Sequence, residues 1–112
     1  MRAATTSDIE LTSKLLSGFA DPRRLAILVE LSTGEQRVTD LVKAVGTSQA
    51  NISGHLACLK GCGLVVDRPQ ARQVFYRISS PDVLDVLHAV EALLAVHGHE
   101  IELCPNYQGD AR

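Results

Sequence analysis

The 112-residue chain has no tryptophan and only two tyrosines and two phenylalanines, few for the lining of a substrate pocket. It also lacks the residue sets that catalysis needs. No Ser/His/Asp constellation, glycine-rich phosphate loop or pair of acid–base carboxylates stands out, so an enzyme is not expected. No apolar run reaches the length of about eighteen residues that a membrane-spanning helix requires, and MRAATTSDIE has no apolar segment of the kind a secretory leader carries. The expectation is a cytoplasmic protein without a membrane partner. Cysteine is scarce, and its three copies are an odd number. In a reducing compartment they suit thiols or metal thiolates better than a disulfide framework. Neither an internal repeat nor a low-complexity segment is present.

Positive charge is not in excess either. The net charge of −2 argues against a dedicated nucleic-acid binder until its distribution is considered. Between Pro22 and Ile78 the chain carries Arg23, Arg24, Arg37, Lys43, Lys60, Arg68, Arg72 and Arg77 against four acids, whereas the two ends together are acidic. Such polarity can turn one basic face toward phosphates while the rest keeps the protein soluble.

The length suits one domain. TTSDIELTSKLLSGFA predicts a first helix capped by Ser7, with Ile9, Leu15, Leu16 and Phe19 apolar and Gly18 weakening its end. DPRRLAILVELSTGE predicts a second, with Asp21 as cap, Pro22 in the first position and a stop at Gly34. From Val38 to Val45 a short helix leads through Gly46 and Thr47 to a longer one capped by Ser48, which is a helix-turn-helix. After Gly63 the period changes to alternation, predicting two short strands joined by a turn over Pro69 to Arg72. Ser80 and Pro81 open a last helix with Val83, Val86, Leu87, Val90, Leu93 and Leu94 at helical spacing, an apolar face broad enough to call for a partner helix in the same core or a second subunit. IELCPNYQGDAR has no periodicity. The predicted architecture is a winged helix-turn-helix, mainly α with a two-stranded β wing. Residues 1–100 would form the DNA-binding and dimerisation domain, and residues 101–112 a flexible tail carrying Cys104.

The long helix raises a question of chemistry, because HLACLKGCGLV sets Cys58 and Cys62 four residues apart. At about 100° per residue, Ile52, Leu56, Leu59 and Gly63 form the stripe that faces the core. Both thiols fall about 100° to one side, on a ridge shared with Asn51 and His55. Two readings stand: free cysteines that pack as small apolar side chains, or half of a metal site. Two thiols do not complete a site, and Cys104 is the remaining one, on a tail able to reach them in the same chain or in a dimer partner. A thiolate-rich set selects soft ions over magnesium, manganese or calcium.

At DPRRLAILVEL, SQANISGHLACLKGCGLV and RQVFYRI the chain resembles the ArsR/SmtB family of winged-helix metal-sensing repressors, over roughly residues 15–96. CLKGCGLV is similar to the cadmium/lead-sensing CmtR branch, whose site takes two cysteines from this helix and a third from the tail of the other subunit. Cys58, Cys62 and Cys104 match that set in type and order. RVTDLVKA holds no cysteine, so the branch with a Cys-x-Cys pair on the preceding helix is not matched. Of the terminal-helix zinc site of other members, His88, His99 and Glu102 keep the spacing, but Val86 replaces the aspartate and Gly98 interrupts the helix.

The resemblance implies a homodimeric repressor that grips an imperfectly palindromic double-stranded operator when metal-free. A soft ion, Cd(II) or Pb(II) in the first instance, with As(III) or Zn(II) as alternatives, would then release it. Ser48, Gln49, Asn51, Ser53 and His55 are the candidates for base edges and nearby phosphates, and Arg68 and Arg72 on the wing for the backbone or minor groove. A thiol-redox or persulfide switch at Cys58 and Cys62 is the competing reading.

Overall fold

A computed structural model describes residues 2–104. The first helix, α1, runs Thr6–Ala20 and is capped by Thr5, not Ser7. The Thr5 hydroxyl accepts from the Asp8 backbone N–H at 3.2 Å, and the Asp8 carboxylate accepts in return from the Thr5 N–H at 2.9 Å. This reciprocal capping box satisfies two helix-end donors where Ser7 alone would satisfy one, so the helix starts earlier. Helix α2, Pro22–Leu31, begins as expected: Asp21 accepts from the N–H groups of Arg23 at 2.9 Å and Arg24 at 3.1 Å.

A short strand follows that alternation along the sequence did not reveal. Gln36–Arg37 forms β1, which pairs antiparallel with the returning strand of the wing. The sheet therefore has three strands, in the order β1-β3-β2, instead of two. Helix α3, Val38–Val45, ends at Gly46, whose φ of +80° favours glycine. Helix α4, Gln49–Gly61, is capped by the Ser48 hydroxyl, which accepts from the Asn51 N–H at 3.1 Å.

The wing consists of β2, Val65–Gln70, and β3, Gln73–Ile78, joined by only Ala71 and Arg72. The expected turn was wider because Pro69 reads as a breaker. Instead Pro69 pairs with Val74, and β2 is an edge strand, where a missing N–H breaks no ladder bond. Helix α5, Pro81–Val96, completes the fold.

The core draws Ile27, Leu28 and Leu31 from α2, Leu41 from α3, Ile52, Leu56 and Leu59 from α4, and Val83 and Leu87 from α5. Ile52, Leu56 and Leu59 of the predicted α4 stripe are 0 % exposed, whereas its fourth member, Gly63, lies past the helix end and is exposed. At about 1.5–3 kcal/mol for each side chain, the three buried residues hold α4 to the body with about 5–9 kcal/mol of burial. The face of α4 opposite this stripe is correspondingly well fixed. By contrast Ile9, Leu11, Leu15 and Leu16 on α1 and Val90, Leu93 and Val96 on α5 are exposed. Among the described residues no helix is long and apolar enough to cross a membrane.

Candidate nucleic-acid interface and thiol site

Helix α4 turns a small-residue face to solvent: Ala50, Gly54, Ala57 and Gly61 are all exposed. Side chains that could read or grip a ligand flank that face. Gln49 and Ser53 are exposed, and Gln49 borders a groove of about 260 Å³ between α4 and the wing, shared with Arg37, Thr39, Arg72, Gln73 and Tyr76. Ser48 and Asn51 are committed locally. Ser48 is the cap, and the Asn51 side-chain amide donates to the Thr47 hydroxyl at 3.0 Å. His55 is half-buried and lies on the Asp21 side of the helix. The Arg24 backbone N–H lowers the Asp21 pKa most, with Arg23, Arg24 and His55 contributing and burial opposing.

The two wing arginines part company. Arg72 is exposed at the hairpin tip. Arg68 faces Phe75 across the ladder, and alternation puts both on the sheet face opposite Tyr76, Ile78 and Val65, which turn inward. There its guanidinium grips both Glu35 oxygens, at 3.1 and 2.6 Å, and lies 5.0 Å from the Phe75 ring centre. Arg68 is thus engaged by Glu35 and Phe75 and is not among the residues lining the groove beside α4, a placement its position in sequence did not suggest. Thr39 and Gln73 were missed as groove-lining residues. Their signal was positional: one opens a helix-turn-helix and the other follows a wing tip.

The three thiols occupy different surroundings. Cys58 is exposed on α4. Cys62 is half-buried and donates to the Lys14 carbonyl of α1 at 3.8 Å, beside a groove of about 380 Å³ lined by Leu11, Thr12, Lys14, Leu15 and Gly61. Cys104 is 2 % exposed and belongs to the core cluster. Burial pushes its thiol pKa up, a hydrogen bond with Ser32 opposes, and the Glu91 charge adds to the rise. Leu103 and Cys104 are therefore docked against the domain, where a free tail was expected. The apolar Leu103 and Cys104 gain by packing on the core, and residues 105–112 of the expected tail lie outside the described residues.

Within one chain, among the described residues, no three Cys, His, Asp or Glu side chains converge as a metal site requires. The same holds for His88, His99 and Glu102. His88 lies on α5 with Nδ1 3.4 Å from Glu91 Oε1. The helix ends at Val96, and Gly98 turns the chain at a φ of +87°, so the eleven-residue spacing from His88 to His99 no longer maps onto one helix face.

Five helices and a wing, with the second helix of a helix-turn-helix exposed and rigidly held, define a winged-helix DNA-binding protein. Comparison with known proteins specifies the class. Residues 21–66 match the model of the bacterial regulatory protein arsR family. The chain is 30 % identical over 101 residues to a protein of Streptomyces lividans named as a probable mercury resistance operon repressor, spanning 90 % of this chain and 81 % of that one. It is 39 % identical over 85 residues to the transcriptional regulator CmtR of Mycobacterium tuberculosis, 75 % and 72 % of the two chains. Among solved structures it resembles a homodimeric winged helix-turn-helix DNA-binding domain from Mycobacterium bovis, with a TM-score of 0.76 at 27 % identity over 91 % of this chain and 97 % of that one. The chain belongs to the ArsR family. It is a DNA-binding transcriptional regulator and not an enzyme.

Proposed function

We propose that the protein is a cytoplasmic homodimeric repressor released from its operator by a soft, thiophilic ion. Two-fold pairing places two α4 helices in successive major grooves of an imperfect palindrome. The exposed apolar residues of α1 and α5 supply the dimer surface, in keeping with the homodimeric M. bovis domain. Gln49 and Ser53 face the bases, His55 on the other flank reaches a nearby phosphate, and Ser48 and Asn51 present the helix start to phosphate. Arg72 at the wing tip reaches the backbone.

The observation that carries the sensing half is the placement of Cys58 on the exposed α4 flank and of Cys62 one turn on at the helix C-cap, half-buried at the core margin. A pair of thiols there suits Cd(II) or Pb(II), with As(III) and Zn(II) as alternatives, and Cys104 supplies the third sulfur. The mercury-related name of the S. lividans relative supports a soft ion. An oxidative switch fits less well. A disulfide needs Cβ atoms about 3.8 Å apart, whereas helical i, i+4 spacing holds them about 5–6 Å apart, so oxidation would have to unwind α4.

The decisive experiment is Cys58→Ser. Operator binding by the metal-free variant should match wild type, and cadmium should no longer release it. Retained cadmium release in this variant, or absence of sequence-selective binding by the wild type at low salt, refutes the proposal.

A further inference from the structure

Beyond α5 the chain folds back on itself. Gly98 adopts its left-handed conformation, its N–H donates to Ala95 at 3.0 Å, and the His99 N–H donates to Leu94 at 2.9 Å. The reversed strap then meets Glu91, more than a turn before the helix end. One carboxylate oxygen of Glu91, Oε2, accepts the backbone N–H groups of both Leu103 and Cys104, the latter at 3.1 Å, while the other oxygen faces His88. Glu91 itself is largely shielded, with a side chain 14 % exposed. The rest of the strap is weakly held: Glu100, Ile101 and Glu102 are exposed, so the carboxylate, the packing of Leu103 and Cys104, and the Cys104–Ser32 hydrogen bond carry the docking.

We propose that Glu91 is a latch that withholds Cys104 until the strap undocks. The proposal rests on the thiol-sensor reading above and adds a two-state element to it. In the docked state Cys104 is occluded and apart from the α4 thiols; in the open state its sulfur is free to join them. A binding-competent state populated at a fraction f weakens apparent affinity by that fraction. Loosening the latch should therefore tighten ion binding by the same factor by which it exposes Cys104.

The test is site-resolved alkylation of the metal-free full chain by iodoacetamide at fixed pH, read by mass spectrometry. In wild type Cys104 should react at least about tenfold more slowly than Cys58. Glu91→Ala should raise the Cys104 rate about tenfold or more, which is about 1.4 kcal/mol of docking, and leave the Cys58 rate unchanged. Glu91→Gln should fall between, because an amide oxygen still accepts but carries no charge. Leu103→Ala loosens the strap without altering α5 and should act in the same direction. Cys104 reacting as fast as Cys58 in wild type, or a Cys104 rate unmoved by both Glu91→Ala and Leu103→Ala, overturns the latch. Cadmium titration, followed by thiolate charge-transfer absorbance, separates this from the sensor reading. If Cys104→Ser leaves the titration unchanged while Glu91→Ala still unmasks Cys104, the latch stands and the third ligand does not. If both hold, Glu91→Ala should bind cadmium about tenfold more tightly.

Discussion

Replacing the two wing arginines one at a time should separate them cleanly. Arg72 stands exposed at the hairpin tip and lines the α4 groove, whereas Arg68 does not line it and has its guanidinium held by Glu35 and near the Phe75 ring. Each cation that neutralises a DNA phosphate adds about 0.9 to the slope of log K against log salt. In a two-fold dimer, losing Arg72 removes one contact per subunit and about 1.8 from the slope. Between about 50 and 200 mM salt, a fourfold change, that amounts to about 1.1 log units, so the Arg72→Ala dimer should lose about tenfold less affinity over this range than wild type. The loss should be alike on specific and scrambled duplexes, because a phosphate contact carries no sequence information. Arg68→Ala should leave the slope unchanged. Fluorescence anisotropy with a labelled operator over a salt series measures both. If Arg68→Ala flattens the slope as much as Arg72→Ala, the reading of Arg68 as held by Glu35 away from DNA is wrong.

Glycine replacements should give opposite signs at two places. A Cβ on Gly18 would sit 2.5 Å from Leu64 Cδ1 in the buried core, so Gly18→Ala incurs about 1–3 kcal/mol of overpacking against a gain of about 1 in helix propensity. Urea unfolding should show a net loss of up to about 2 kcal/mol, and a gain would mean that Leu64 has room to move. A Cβ on Gly54 meets nothing within 4 Å, so Gly54→Ala should stabilise by about 0.5–1 kcal/mol in the same assay. Alkali should weaken the fold through Cys104. Because burial raises its folded pKa above the unfolded one, its contribution is intact below the ordinary thiol value and is lost as the pH rises through the raised one. Stability measured from pH 7 to 10 should therefore fall less steeply in Cys104→Ala than in wild type; parallel curves would refute this.

How legible the fold was depended on whether the deciding interaction was local. Asp21 before Pro22, Ser48 before the long apolar stripe, and glycines at 46 and 63 act within a turn of themselves, and the structure places α2, α3 and α4 where those signals put them. The start of α1 was misplaced because two local signals competed. Asp8 returning a bond to the Thr5 N–H decided in favour of the earlier cap. Strand β1 is only two residues long and exists because β3 lies beside it, a partner nearly forty residues away that no periodicity within Gln36–Arg37 announces.

The site divides along the same line. That Cys58 lies beside the core stripe of α4 followed from helical angles alone, whereas Cys62, at the C-cap, packs partly against the core. The fate of Arg68 was set by Glu35, 33 residues earlier in sequence, and that of Cys104 by Glu91 and Ser32, none of which shares an element with its partner. Sequence pattern could place each group on a face but not say what already occupied it. For a regulator this distinction matters. A side chain exposed by pattern and engaged by tertiary contact is available only after that contact breaks, and the energy of breaking it enters the response. Cys104 illustrates the point: sequence pattern puts it on a mobile tail, whereas in the fold it is a buried thiol behind a carboxylate, so under the proposed sensing role ion capture and strap release would form one coupled equilibrium.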